Sequence, residues 1–376
     1  MESKSTLFSQ GFGFKSYLLM NKDMVWAEFT WSDLDKITLV KEKFHLPFKV
    51  TFDRFIRRRT PPKHRAFMKE LLAQLQLTSD RDVIDYSKGL SLTDTFWIQE
   101  KSEGLRWSDI NLYENPFNEV ISRIAFEGGL FGKKIAITSP EFTTDGMLAK
   151  CWVREESASR ISLYKAGTSW GVSNDGREPY SEVLASQLLD RLGYNHVEYS
   201  LQKYRGKLVS VCPLITTQSV SMFPIWMYFS SEETLTLQDL FEFYNNHGWL
   251  KQFCQVLVFD YLSLNTDRHA NNFGILVNAD TLEPIGPAPI YDNGASMLNY
   301  YSVGQDFSQF KKECLPALYP SFELGAQLAK RYSGVIGVNH LVNFKFNRDD
   351  VVGYSKDKID FIEQFIQQRV REYLAY

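Results

Sequence analysis

The first third of the chain alternates short stretches of helical and of strand-like period. Apolar positions over 62–77 recur at helical spacing after Thr60 and two prolines, which predicts a helix capped by Thr60. Residues 91–99 alternate like a strand, and a second helix is predicted from Asn115 to about Phe126, where two glycines end it. We therefore expect a mixed α/β domain over 1–130.

Strand patterns dominate from about residue 131, and helical patterns dominate from about residue 226. Apolar alternation predicts strands over 135–139, 147–155, 160–167 and, as the last strand of this part, 207–215. The other predicted features are a turn at 156–159, a loop at 171–176, a helix over 180–193 ended by Gly193, a helix over 249–264 and a hairpin at 273–292. A strand-rich part followed by a helical part predicts two lobes with a cleft between them.

The composition is that of a folded chain with little net charge. Of 376 residues, 44% are hydrophobic and 15% aromatic, and 42 Lys+Arg stand against 45 Asp+Glu for a net charge of −3. Such a chain is neither disordered nor, as a whole, a binder of polyanions. Its apolar runs are too short to span a membrane, since even 254–262 is interrupted by Asp260, and the N-terminus lacks the apolar core of a secretory signal.

The cysteines are isolated in the sequence. Cys151, Cys212, Cys254 and Cys314 lie 61, 42 and 60 residues apart. This spacing predicts neither a zinc site nor a disulfide framework, and it suits a reducing cytosol. We therefore expect a cytoplasmic protein.

The most informative stretch is a polar loop between an apolar helix and a short β-run. In it Asp267 and Asn272 are five residues apart, which is the D-x-x-x-x-N spacing of the base and a metal-binding residue in kinases. Asp292 ends the second β-run of the hairpin and would return beside Asn272. His269 lies inside the loop, where we expect it to orient the loop through its backbone rather than to act as a base.

Phosphoryl transfer needs these residue types for a chemical reason. The acceptor hydroxyl must be oriented and lose its proton, which suits Asp267. The triphosphate is neutralised by Mg²⁺, which prefers oxygen ligands such as those of Asn272 and Asp292. Asp and Asn also cap ordinary turns, so each residue alone would indicate only a hairpin. The three in this order favour a kinase-like site.

A kinase also needs a cation for the nucleotide phosphates and a carboxylate to hold it. Lys165 shares one strand face with Ile161 and Leu163, which is unusual for a solvated lysine. Glu182, 17 residues on, lies in the next predicted helix and could pair with Lys165. Glu178 is the alternative partner, but it precedes a proline and is therefore predicted to lie outside the helix.

Two stretches have less specific patterns that bear on nucleotide binding. The polar turn over 143–150 contains Gly146 and is a candidate loop over the phosphates, although it lacks a GxGxxG motif. The strand over 207–215 could contact adenine around Cys212 and Leu214, a role suggested only by its place in the order of elements.

A basic stretch over 54–65 contains six Lys or Arg residues and no acid. We interpret it as a solvated basic turn before a helix. The alternative is a docking surface for nucleic acid, a tRNA-bound enzyme or an acidic partner.

These motifs resemble those of the HipA-like Ser/Thr protein kinases, the toxin half of bacterial HipA/HipB modules, over roughly 135–300. The family has an S-x-x-G-x-x-x-K phosphate loop, a strand lysine, a T-D-x-H-x-x-N loop and a Y-D motif. These fall on Thr143, Gly146, Lys150, Lys165, Thr266, Asp267, His269, Asn272, Tyr291 and Asp292. Thr143 replaces the serine that the family autophosphorylates.

The resemblance implies an α+β, bilobal protein-kinase-like fold behind the additional N-terminal α/β domain. The strand-rich N-lobe would span 131–225 and the helical C-lobe 226–376. It implies ATP and Mg²⁺ as cofactors, an unidentified protein substrate phosphorylated on Ser or Thr, a toxin acting on translation and an antitoxin-like partner protein. No helix-turn-helix is evident, so direct DNA binding is not expected of this chain. Membrane association is not expected either, because its apolar runs are short.

Two alternatives stay open. The pattern DRHANN…YDNG is also similar to the D-R-H-x-x-N…D-x-G loop of phosphoinositide kinases, which would make the protein a lipid or small-molecule kinase. The other alternative is a catalytically inactive nucleotide-binding module, which the intact set of acidic and basic residues disfavours.

Overall fold

The computed structural model describes residues 13–62, 64–129, 138–155, 160–168, 176–230, 235–334 and 336–376. Within these ranges the chain forms three antiparallel sheets and eleven α-helices. The predicted turn at 156–159, and most of the strand predicted over 135–139 and of the loop at 171–176, lie outside the described residues.

The N-terminal sheet has the strand order β3-β2-β1-β4 and is accompanied by short helices. Its strands are β1 (Phe14–Asn21), β2 (Met24–Ser32), β3 (Ile37–Glu42) and β4 (Phe96–Glu100). The helices are α1 (Phe52–Arg57), α2 (Met68–Gln74), α3 (Asp80–Ser87), α4 (Trp107–Ile110) and α5 (Glu119–Glu127). Alternate residues of β2, including Phe29 and Trp31, are fully buried, which is the period of a strand with one covered face. This part of the chain is mixed α/β, as predicted.

Three predicted elements of this region are shorter than their sequence patterns. The helix predicted from Asn115 begins at Glu119, because Asn118 caps it. The helix predicted from residue 62 begins only at Met68, because Thr60 does not cap it; its hydroxyl donates to the carbonyl of Arg57 (2.7 Å). The strand predicted over 91–99 forms only from Phe96, whose amide donates to the carboxylate of Asp94 (2.8 Å) in a polar turn. Local bonds between side chain and backbone thus override the apolar periodicity.

The second sheet has the order β5-β6-β8-β7. It contains β5 (Lys150–Glu155), β6 (Arg160–Ala166), β7 (Ser200–Tyr204) and β8 (Lys207–Pro213). α6 (Glu178–Leu192) packs against β6 and β8. It ends at Gly193, whose φ of +66° is the left-handed conformation that favours glycine after a helix. The helix predicted over 180–193 is therefore present and begins two residues before its predicted start.

The third sheet has the order β11-β10-β9 and corrects two predictions. It contains β9 (Val220–Pro224), β10 (Gly274–Asn278) and β11 (Pro284–Pro287). The strand over 207–215 is not the last of its part, because β9 follows it and pairs with β10 instead of joining the second sheet. The hairpin of β10 and β11 ends at Pro287, so Asp292 lies in the segment beyond the hairpin and not at its end.

The C-terminal part consists mainly of helices, as predicted. They are α7 (Leu237–Asn246), α8 (Leu250–Ser263), α9 (Phe307–Glu313), α10 (Phe322–Ser333) and α11 (Lys356–Ala375). α8 packs against α7, α10 and α11, which explains its nearly continuous apolar sequence. In the described part of the chain, no helix is both long enough and apolar enough to cross a membrane.

Buried side chains of the N-terminal sheet, the third sheet and the C-terminal helices form one continuous apolar cluster. Phe48 and Phe96 from the N-terminal region pack on Phe223 of β9, with ring centroids 4.6 Å and 6.3 Å from that of Phe223. The N-terminal region is therefore fixed against a strand that lines the cleft described next.

Candidate active site

A cleft of about 600 Å³ lies where the second sheet, the third sheet and the N-terminal region meet. Ten of the eleven side chains predicted from the sequence to form the site line it. They are Thr143, Gly146, Lys150, Lys165, Cys212, Leu214, Asp267, His269, Asn272 and Asp292. The eleventh, Glu182, is fully buried behind Lys165. The fold thus collects residues from across 150 positions of sequence into one cavity.

Lys165 is the centre of the charge arrangement. It projects from β6, and its Nζ lies 2.6 Å from Oε1 of Glu182 and also donates to Oδ1 of Asp292. Burial alone would lower the pKa of Lys165, but the two carboxylates outweigh burial and raise it. Lys165 and Lys150 likewise hold the pKa of Asp292 well below its usual range in spite of burial. Lys165 is therefore an ammonium and Asp292 a carboxylate at neutral pH.

The alternative partner of Lys165, Glu178, is turned elsewhere. α6 begins at Glu178 itself, so the prediction that this residue lies outside the helix was wrong; the fixed φ of the following proline is compatible with a first helical turn. Its carboxylate accepts hydrogen bonds from the amide (3.0 Å) and the hydroxyl of Thr168. Of the two candidates, Glu182 pairs with Lys165.

Lys150 enters the cleft beside Lys165 because the two residues are direct partners across β5 and β6. The ammonium of Lys150 donates to the carbonyl of Asp145 (2.7 Å). Burial, together with repulsion from Lys165, lowers the pKa of Lys150 to about 8. A Cβ at Gly146, whose φ is +90°, would collide with the Lys150 ammonium, so this turn requires glycine.

The loop that contains Asp267 is held through its backbone and leaves the carboxylate accessible. Asn272 donates from Nδ2 to the carbonyl of Asp267 (2.7 Å), and Nδ1 of His269 accepts from the amide of Asn271 (3.2 Å). The side chain of Asp267 is 61% exposed, and its Oδ1 lies 3.9 Å from Nε2 of His269. Partial enclosure raises the pKa of Asp267 against the attraction of His269, and the charge of Asp292 adds to the rise. Such a carboxylate can orient a hydroxyl and accept its proton.

Arg268 is an important residue that sequence analysis missed. It is fully buried, and it donates to the carboxylate of Asp260 on α8 (3.1–3.3 Å), the carbonyl of Tyr291 (2.8 Å) and Oδ1 of Asn293 (2.6 Å). It therefore joins the loop of Asp267 to the residues on either side of Asp292. A signal was present, because an aspartate within the apolar sequence of α8 needs a buried cation.

Cys212 and Leu214, which the sequence suggests as contacts for adenine, lie beside other apolar residues of the cleft. Leu163 of β6 is the direct cross-strand partner of Cys212 on β8, and both line the cavity with Leu214. Tyr199 also lines it and was not predicted from the sequence; its hydroxyl accepts a hydrogen bond from the amide of Asp292 (3.3 Å). Apolar side chains next to two lysines are suited to a base attached to phosphates.

The basic stretch over 54–65 is not simply a solvated turn, which corrects that interpretation. Arg59 and Arg65 are buried and paired with Asp94 (2.8 Å) and Glu141 (2.6 Å). Arg54 and Arg58 lie over the ring of Trp226, at 4.2 Å and 4.8 Å from its centroid. Arginines of this stretch therefore connect the N-terminal region to the rest of the molecule.

The cleft contains oxygen donors of the kind that bind Mg²⁺. Within the described ranges, no group of three or more His, Cys, Asp or Glu side chains is arranged to hold a metal ion. Asn272 and the ionised Asp292 do line one cavity with oxygen donors. One carboxylate and one amide fit Mg²⁺, which keeps several waters and takes further ligands from substrate phosphates.

Comparisons with known proteins place the fold. No family model and no curated protein matches the chain. Among solved structures, HipA in the complex of the Shewanella oneidensis MR-1 toxin–antitoxin system HipA, HipB and its operator DNA has a TM-score of 0.59 at 11% identity, over 96% of this chain and 98% of that one. The proinflammatory kinase CtkA of Helicobacter pylori has a TM-score of 0.47 at 19% identity, over 62% of this chain and 89% of that one. The resemblance to HipA noted in the motifs thus extends to the fold of almost the whole chain.

Proposed function

We propose that the protein is a HipA-like kinase that transfers the γ-phosphoryl group of ATP to a Ser or Thr hydroxyl of a protein. One observation carries the proposal: Lys165, bound to both Glu182 and Asp292, lies in the same cleft as Asp267 and Asn272. A structural ion pair would not need an accessible carboxylate beside it. The same groups, in this order along the chain, perform phosphoryl transfer in kinases.

Each side chain then has a part in the reaction. Lys165 contacts the α- and β-phosphates and Glu182 orients it, while Lys150 and the loop around Gly146 cover the phosphates. Asp267 orients the acceptor hydroxyl and accepts its proton as the bond to phosphorus forms. The second sheet acts as the N-lobe and the C-terminal helices as the C-lobe of a bilobal kinase. Because the transition state is loose and highly charged, positioning and charge neutralisation supply most of the rate.

Mg²⁺ would be held by Asn272 and Asp292. When bound, it neutralises phosphate charge. The ionised state of Asp292 supports this assignment, since a metal ligand must be deprotonated. Adenine would lie between Leu163 and Leu214, next to Cys212.

The partner proposal follows from the fold. The similar HipA structure is a complex with HipB and operator DNA. We propose an antitoxin-like partner protein for this chain, with any contact to DNA made through that partner, and a toxin role that acts on translation.

ATP labelled in the γ-phosphate, added with Mg²⁺ and the purified protein to a cell lysate, tests the reaction class. Label in a protein band that is absent with Asp267→Ala supports the proposal. Label in lipid or in a small metabolite instead would contradict it in favour of a phosphoinositide-kinase-like activity. Binding of ATP without transfer to any fraction would indicate an inactive nucleotide-binding module.

A further inference from the structure

Arg65, from the N-terminal region, forms hydrogen bonds with both ends of the loop that is proposed to cover the phosphates. Its Nη1 donates to the carbonyls of Glu141 and Thr144 (3.3 Å for the latter). Its Nη2 donates to the carbonyl of Lys150 (2.8 Å) and to Oε2 of Glu141 (2.6 Å). Both side chains of this ion pair are 0% exposed. One guanidinium thus contacts residues before, within and after the turn at Gly146.

Glu141 completes the connection to the second sheet. Its other oxygen, Oε1, accepts from the amide of Trp152 on β5 (2.9 Å). Two further hydrogen bonds join the N-terminal region to the loop, from the amide of Ala66 to the carbonyl of Met147 (3.0 Å) and from the hydroxyl of Thr143 to the carbonyl of Leu90 (2.7 Å). Four residues of the loop, and Glu141 before it, therefore form hydrogen bonds with a part of the chain outside the proposed kinase lobes.

The physical chemistry of this contact suits a positioning role. A loop that receives phosphates must direct amide hydrogens and a cation toward the ligand, so its carbonyls have to be satisfied on the opposite side. Arg65 can donate to several of these carbonyls at once, because the planar guanidinium has five donors in fixed directions and a lysine ammonium does not. Burial of the charge is tolerated because Glu141 compensates it.

We propose that Arg65 and Glu141 form a positioning pair by which the N-terminal region holds the phosphate loop in the shape that binds MgATP. The inference rests on the proposed kinase function and gives the N-terminal region a part in it. Neither side chain lines the cleft, and both act through the backbone of Thr144 and Lys150.

The test compares Arg65→Lys, which keeps the charge but loses the fork, with the wild-type full chain. Calorimetry with MgATP should show a dissociation constant raised by about ten- to a hundredfold, the range of a lost hydrogen bond to a charged group. In steady-state kinetics KM for ATP should rise while kcat at saturating ATP changes little. Glu141→Gln, nearly identical in shape, should act in the same direction and serves if Arg65→Lys folds poorly.

Arg369→Lys is the matched control. Arg369 is also buried, pairs with Glu323 (2.7 Å) and donates to the carbonyl of Tyr261 (3.1 Å), but it lies on α11 and has no contact with the loop. It should lower the melting temperature without changing the affinity for MgATP. Amide exchange of residues 143–149 should be faster in Arg65→Lys and unchanged in Arg369→Lys.

The outcomes separate the two claims. An unchanged dissociation constant and unchanged exchange in both Arg65→Lys and Glu141→Gln, with a wild type that binds MgATP, would overturn the positioning pair and leave the kinase proposal intact. A wild type that binds no MgATP would overturn the proposed function and this inference with it.

Discussion

At the scale of single residues, Asp267 projects into the cleft from a loop whose shape does not depend on its carboxylate. The hydrogen bonds of Asp267 run through its backbone, and its side chain is 61% exposed. Asp267→Ala should therefore lower kcat by about 10²- to 10⁴-fold, the usual contribution of a general base, and leave the circular dichroism spectrum unchanged. Asp280→Ala is a fitting control, since Asp280 is 56% exposed and lies in the β10–β11 turn. Full activity of Asp267→Ala would refute its role.

Lys150 leads to a second prediction, on pH. The pKa of Lys150 is lowered to about 8, mainly by burial, so the ammonium that is proposed to contact the triphosphate is lost above that pH. Below pH 8 the affinity for MgATP should be level, and above it the dissociation constant should rise by up to about tenfold per pH unit, because binding must then take up a proton. Lys150→Arg cannot deprotonate and should have a level profile up to about pH 9.5. Calorimetry across this pH range measures the two dissociation constants. A level wild-type profile would show that the Lys150 ammonium does not bind the phosphates.

What the sequence alone predicts at this scale depends on how local the signal is. Asp267 and Asn272 were identified as candidates because one loop contains both, five positions apart. The contact between Lys165 and Glu182 was found because strand and helix follow one another in the chain. Arg65 was missed because its partner Glu141 lies 76 residues away and only the fold brings the two together. Arg268 was missed although Asp260 lies only eight residues away, because its contact with Asn293 depends on the fold.

At the scale of elements, the same distinction holds. α6 and α8 lie close to their predicted ranges because apolar periodicity and a glycine at the end of α6 determine them. The helix expected from residue 62 begins later than predicted, because the Thr60 hydroxyl donates to the carbonyl of Arg57 and does not cap the following helix. β9 was missed since a five-residue strand next to a 3₁₀ turn has too few positions to establish a period.

Arg268 and Asp260 join α8, the loop of Asp267 and the segment of Asp292, which makes their pair an element-scale test. Both side chains are 0% exposed. Arg268→Met should lower the free energy of unfolding by about 3–5 kcal/mol, because it leaves a buried carboxylate without its cation. Urea denaturation measures this loss.

The double variant Arg268→Met, Asp260→Leu is the control for that measurement. It removes both charges and should recover much of the lost stability, since no unpaired charge is left in the core. The proposed kinase activity should stay low in the double variant, because the loop and the segment of Asp292 are no longer joined. Equal stability of the single and double variants would show that the ion pair is not what holds these elements.

At the scale of the whole molecule, the apolar core does not follow the three units expected from the sequence, 1–130, 131–225 and 226–376. One cluster of buried side chains runs from the N-terminal sheet through β9 into the C-terminal helices. The sequence pattern of a helix or strand does not predict which other elements share its core, because the pattern shows only that the element has an apolar face. We expect the chain to unfold as one cooperative unit, in contrast to the separate transitions of loosely joined domains.

Phe223→Ala tests that expectation, since Phe223 is 3% exposed and its ring contacts Phe48 and Phe96 across the expected boundary. The change should lower the free energy of unfolding by about 3–5 kcal/mol. Trp26, Trp31, Trp97 and Trp107, half of the tryptophans, report on the N-terminal region by fluorescence, and far-ultraviolet ellipticity reports mainly on the C-terminal helices. In urea the two midpoints should coincide in the wild type and move together in the variant, because a cavity in a shared core weakens both parts. If the two midpoints separate, and Phe223→Ala displaces only one of them, the N-terminal region folds by itself. The hydrogen bonds from Arg65 to the proposed phosphate loop would then be a contact between independent domains.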